Sequence, residues 1–121
     1  MEKIVFILIK LQMQLRILHW QTSSHAEHES FGFAYSKLDD LIDNLVEVYQ
    51  GKYKRLSFTA NQLKISNYDE IDIKAVILDV TDFLTTRFNE VVNTNLDTDC
   101  LNIRDEILSI LNKLSYLLTL K

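Results

Sequence analysis

Apolar residues recur along the start of the chain at helical spacing. Ile4, Leu8, Leu11, Leu15 and Leu18 form one stripe with a period near 3.6 residues, which predicts a helix over about 3–21. Its first half, Ile4-Val5-Phe6-Ile7-Leu8-Ile9, is apolar almost all round, so it meets a second surface besides its own bundle. Phe31, Tyr35, Leu38, Ile42, Leu45 and Tyr49 predict a second helix over 24–50. Ser24-His25-Ala26-Glu27 has the S-x-x-E form of a capping box at its start, and Gly51 stands as a C-terminal stop. Ile73, Ile77, Val80, Leu84, Phe88 and Val91 predict a third over 70–92, closed by Asn93-Thr94-Asn95. Ile103, Ile107, Ile110, Leu114 and Leu117 predict a fourth over 98–119, capped by Asp97 or Thr98.

The links between these helices bear on topology. The first and third are a few residues long and make antiparallel neighbours. Residues 52–69 form a link of about eighteen, which extends to about 55 Å and can cross a helix of about 37 Å. That permits the single crossover of ferritin-like bundles. A local fold, with Phe58 to Lys64 as a short helix or strand, fits the same length.

The apolar run at the N-terminus is too short for a membrane span or a secretory core, because Lys10, Gln12, Gln14 and Arg16 interrupt it. With 121 residues, 47% of them apolar, and no proline, the chain reads as a single all-α domain, a four-helix bundle over 1–121. A net charge of -4 and the absence of a basic tail argue against nucleic acid or an anionic membrane as the main partner. One cysteine, Cys100, cannot form an internal disulfide and fits a reducing compartment, with the cytoplasm as default. No Gly-rich phosphate loop, C-x-x-C or G-x-S-x-G motif occurs. Tyr49, Lys52, Tyr53, Lys54 and Arg55 interleave aromatic and basic groups; they suit a local phosphate contact, or a solvated helix end whose cations favour the C-terminal dipole.

All three histidines lie within Leu18–Ser30, together with the single tryptophan. On the second helix His28, Gly32, Ser36, Asp39, Asp43 and Glu47 share a stripe beside the core face. Asp43 and Glu47, four residues apart, project toward a common cation. His28 is about 22 Å from Asp43 along the axis, so one chain cannot bring the two to a single ion. An antiparallel partner helix could.

These residues, over Leu15 to Gly51, resemble the miniferritins, the Dps-type proteins of starved cells. That family pairs a histidine-tryptophan at the end of its first helix with a histidine opening the next, and an aspartate and a glutamate follow fifteen residues later. His19-Trp20, His28, Asp43 and Glu47 match that pattern. Gly32 stands where the pattern has a ligand aspartate, the loop after Trp20 is about three residues shorter, and the family's basic tail is absent. The "LHWQT", "AEH" and "YQGKY" segments look closer still to small ferritin-like proteins of unassigned function from tailed phages and large DNA viruses.

The resemblance implies a ferritin-like fold and a homodimer or higher homo-oligomer. His19 and His28 of one chain would meet Asp43 and Glu47 of its mate around iron, manganese or zinc. It also implies oxidation of Fe(II) by dioxygen or peroxide without an organic cofactor, and, for a viral protein, the host cytoplasm as location. The residues themselves leave an alternative: a viral helical bundle that has lost the second metal position and serves as an interaction or sequestering protein. In that reading Glu27 is a cap, His25 is solvent-exposed, His19 is a hydrogen-bonded corner residue, and Asp39, Asp40, Asp43 and Glu47 are a solvated acidic face.

Overall fold

In the computed structural model the first apolar stripe forms α1 (Glu2–Gln21), with Ile4, Leu8, Leu11, Leu15 and Leu18 all buried. The structure describes residues 1–59 and 62–120. After a three-residue corner the chain reverses into α2 (His25–Lys52), which buries Phe31, Ala34, Leu38, Ile42 and Leu45 against α1. A 3-10 turn (Tyr68–Glu70) leads into α3 (Ile73–Thr86), a single turn α4 (Phe88–Val91) and α5 (Thr98–Leu117). The protein is an all-α bundle of four long helices, with no strand among the described residues. Fully burying a Leu, Ile or Phe contributes about 1.5–3 kcal/mol, and the shared core that all four long helices line supplies most of the driving force.

The packing order reveals the topology. α1 packs on α2, α2 on α5, α5 on α3, and α3 back on α1. The connection leaves the end of α2 near the start of α1, where Ser57 and Phe58 border one groove with Glu2 and Phe6. It reaches the opposite end of α1 at Ser66, Asn67 and Tyr68. The link therefore crosses the bundle lengthwise, and α3 runs parallel to α2. Residues 60 and 61 of the segment 58–64 lie outside the described residues; the described ones there are neither helix nor strand.

Two glutamines on α1 hold this route. Gln14 donates to the Ser66 carbonyl and accepts from the Ser66 N–H, both at 2.8 Å. One heptad later Gln21 accepts from the Tyr68 N–H and donates to Asn67 Oδ1. Part of the second surface expected for the apolar start of α1 is thus the chain's own crossover: Phe6 and Ile7 share a groove with Ser57, Phe58 and Thr59.

Several boundaries differ from the sequence expectation. The third helix begins at Ile73, capped by Asp72, whose carboxylate accepts from the Ala75 N–H. It does not continue to residue 92. The hydroxyls of Thr81, Thr85 and Thr86 bond back to carbonyls three or four residues earlier, a competition with the helical ladder that bends helices. Arg104 of α5 donates to the Leu84 carbonyl at the break. The α4 turn then buries Phe88 and leaves Val91 exposed, with Val92 inside instead. Gly51 does not stop α2: no glycine has positive φ, and the helix runs one residue further, to Lys52.

Asp97 sits at the N-cap of α5 without capping it. Its carboxylate is fully buried and accepts from Tyr53 Oη at 2.5 Å and from the Asn93 N–H at 2.8 Å, with Lys52 Nζ 2.9 Å away. Lys52 also donates to Asp99 and to the Leu96 carbonyl. The hydrogen bond from Tyr53, then those from Lys52 and Asn93, hold the Asp97 carboxyl down to about 2. This hub ties the end of α2 to the start of α5. It also commits Lys52 and Tyr53 of the aromatic-basic segment, while Lys54 and Arg55 remain exposed.

Candidate functional site

His19 lies in the last turn of α1 and His28 in the first turns of α2, so the short corner brings them together. Their rings stack with centroids 3.8 Å apart and planes 17° from parallel. His19 Nδ1 bonds the His28 carbonyl at 2.6 Å, and His28 Nδ1 bonds the His19 carbonyl at 2.8 Å. A carbonyl only accepts, so each Nδ1 carries the hydrogen, and the neutral ring keeps its lone pair on Nε2. The His19 carbonyl is one of those an α-helix leaves without an internal partner at its C-terminal end; His28 supplies the partner. A ring N–H held by a main-chain carbonyl is also the arrangement that orients metal-binding imidazoles.

Three neighbours shape the pair. Position 32 has no side chain to hold the His19 ring away: a Cβ built there would lie 3.0 Å from Cε1 and 3.1 Å from Nδ1 of His19. Tyr35 meets His19 edge-on at 5.3 Å, and the Arg16 guanidinium lies 4.5 Å over the Tyr35 ring. By periodicity alone Tyr35 is a core position and Arg16 a polar interruption of the apolar run. Their signal was the i, i+3 spacing of Arg16 and His19 on α1 opposite the i, i+3 spacing of Gly32 and Tyr35 on α2. His25 is exposed, and Trp20 is 64% exposed.

Glu27 half-fulfils the capping box. Its N–H donates to Ser24 Oγ at 3.3 Å. Its carboxylate turns outward from the box to accept from Thr22 Oγ1 and Tyr68 Oη, and this bond to Glu27 raises the Tyr68 phenol above its ordinary range. Glu27 is therefore a brace between the corner and the crossover.

The carboxylates lie far along α2. Asp43 and Glu47 are exposed. Asp43 borders an open groove of about 530 Å³ with Asp39 and Asp40, floored by Val5, Ile9, Ile42 and Phe58. Gln12 donates to Asp39 at 2.8 Å across it. Fifteen residues of helix, about 22 Å, separate His28 from Asp43. Among the described residues no three His, Cys, Asp or Glu side chains of the chain surround one metal-sized position. A second constraint comes from the stack. An ion about 2.1 Å from a ring nitrogen lies close to that ring's plane, and planes 17° apart on rings 3.8 Å apart do not converge that near. The two imidazoles as oriented do not chelate one ion.

Cys100 is fully buried in the first turn of α5, beside the Asp97 hub. Burial raises its thiol pKa, which keeps it a neutral, unreactive thiol.

Comparison with known proteins sets this geometry in a family. Residues 19–118 match the family described as "Family of unknown function (DUF5856)", a span that runs from His19 through the crossover to the end of α5. The chain belongs to this family. It is also similar to the uncharacterized 14.6 kDa protein of the mobD–ri intergenic region of Enterobacteria phage T4, with 28% identity over 93 residues covering 75% of this chain and 72% of the phage protein. No solved structure matches the chain. No helix among the described residues is long and apolar enough to cross a membrane.

Proposed function

We propose that this protein is a ferritin-like bundle that binds a divalent transition metal between two copies of itself. His19 and His28 come from one chain and Asp43 and Glu47 from its mate. The observation that carries the reading is the reciprocal hydrogen bonding of the histidine pair. It fixes both Nδ1–H groups on carbonyls and leaves two oriented Nε2 lone pairs, the form in which imidazole meets a metal. The lengthwise crossover supports the fold assignment, because a single long crossover is the connectivity of ferritin-like bundles. Nitrogen and carboxylate donors together suit iron, manganese or zinc. The carboxylates bind and orient the ion from the far subunit, and one imidazole of the stacked pair meets it from the near one through Nε2, since the two rings as oriented do not chelate a single ion. If iron is the ion, Fe(II) is the substrate, and its oxidation to Fe(III) would pass the electrons to dioxygen or peroxide as the oxidant. Similarity to a phage protein supports a viral origin, with work in the host cytoplasm.

The test is metal content. Protein grown with iron and manganese retains metal near stoichiometry by elemental analysis, and Asp43→Ala with Glu47→Ala abolishes it. Equal trace metal in both proteins overturns the reading. Two observations favour a second reading, a metal-free viral interaction or sequestering bundle: the near-parallel imidazole planes do not converge on one ion, and Gly32 adds no third ligand. That reading gains if wild type and double variant carry the same trace.

A further inference from the structure

Gly32 is a helical residue with no turn to make and no positive φ. At such a position glycine is a cost, because it is a poorer helix former than alanine. The other glycine of α2, Gly51, has nothing within 4 Å of a built Cβ. At Gly32 the same Cβ would press on His19 at two ring atoms, 3.0 and 3.1 Å away. The ring has little room to retreat. It is stacked on His28, bonded through Nδ1 to the His28 carbonyl at 2.6 Å, and met by the edge of Tyr35.

We infer that Gly32 is a positioning residue for His19: the bare backbone at this turn is the seat of the imidazole, which lets Nδ1–H reach the His28 carbonyl and leaves Nε2 as the ring's free lone pair. The seat stands on geometry alone; only the use of that lone pair rests on the metal reading above. A consequence follows for specificity. With His19 lying over position 32, imidazole nitrogen is the donor this end of the site offers, so it discriminates toward ions that take nitrogen, such as cobalt or zinc, and against magnesium and calcium.

The experiment uses full-length, metal-free protein labelled with nitrogen-15. Imidazole spectra of wild type show the Nδ1–H form for both His19 and His28. Gly32→Ala removes the protected His19 Nδ1–H signal and mixes its tautomers, while Gly51→Ala, the same change in the same helix, leaves the spectrum as it was. A merely structural glycine would not move a tautomer. An unchanged His19 signal in Gly32→Ala overturns the inference. A double variant guards against a fold effect: if the Cβ harms stability by pressing on the ring, Gly32→Ala with His19→Ala restores the thermal midpoint to that of His19→Ala alone. A double variant still as unstable as Gly32→Ala overturns the inference too. Cobalt titration supplies the second readout, with an affinity for Co(II) at least about tenfold weaker in Gly32→Ala, the usual effect of loosening a ligand's orientation. Wild type that takes up no Co(II), while Gly32→Ala still loses the His19 signal, overturns the metal reading and leaves the seat standing.

Discussion

Gln14 binds the backbone of Ser66 with both ends of its amide, as a strand neighbour would, across 52 residues of sequence. The Gln14 side chain is almost fully buried, at 4% exposure, while Ser66 is half-buried.

Gln14→Leu keeps the apolar contact and strands the Ser66 N–H and carbonyl. Leaving buried backbone groups unpaired costs about 1–3 kcal/mol, and these part-buried ones fall in the lower half of that range. We expect the thermal midpoint to fall by about 4–8 °C, from about 1–2 kcal/mol at about 4 °C per kcal/mol for a chain of 121 residues. Circular dichroism on heating checks this, and a shift under about 2 °C would mean that water replaces the amide at little cost.

Acid should undo the Asp97 hub. Its folded carboxyl titrates near 2, below the ordinary value near 3.9, so its stabilisation is present above the ordinary value and disappears as pH falls from about 4 through 2. Asp97→Asn should be less stable than wild type at pH 7, with the gap narrowing across that window until most of it is gone. Denaturation midpoints of both proteins from pH 7 to pH 2 test the sign; a gap that widens toward pH 2 contradicts it.

Met13 and Trp20, one heptad apart on the outward face of α1, remain 42% and 64% exposed. We expect this stripe to lie at the seam of a dimer that shares histidines and carboxylates. Light scattering at micromolar concentration should report a dimer or larger, and Met13→Lys with Trp20→Lys should drive it to monomer with a small change in melting. A wild-type monomer at that concentration removes the shared site, since one chain cannot bring His28 to Asp43.

Gly32→Asp would restore a carboxylate one turn after His28, and by sequence it is the obvious way to strengthen metal binding. The structure reverses the expectation, because the aspartate Cβ meets the His19 ring. We expect lower metal content in this variant than in wild type, measured on equal protein by elemental analysis. A rise in bound metal would show that the ring yields and the carboxylate serves.

The helical periodicity of a single sequence was enough to place α1 and α2 and most of the core. Each apolar side chain's direction from its own helix axis is a local property, set by 100° per residue. Ile4, Leu8, Leu11, Leu15 and Leu18, and then Phe31, Leu38, Ile42 and Leu45, are buried as their spacing required. The same local logic located the histidine corner and separated His28 from Asp43. It erred where the decision was not local. The third helix breaks after Thr86 because threonine hydroxyls and Arg104 of α5 claim its carbonyls. Glu27 leaves its capping box for Tyr68, and Asp97 leaves its cap for Tyr53 and Lys52, partners 41 and 44–45 residues away.

What the sequence determined by itself was the number of long helices, their buried faces and which polar residues share a stripe. Only the tertiary structure decided the lengthwise crossover, the reciprocal Nδ1 bonds of His19 and His28, and the meaning of Gly32. The physical reason is that hydrogen bonds and ring contacts act within about 3–4 Å, and residues far apart in sequence come within that range only once the route of the connecting chain is set. Gln14, which reads as a polar interruption of an apolar helix, and Gln21, the last residue of that helix, help to set that route.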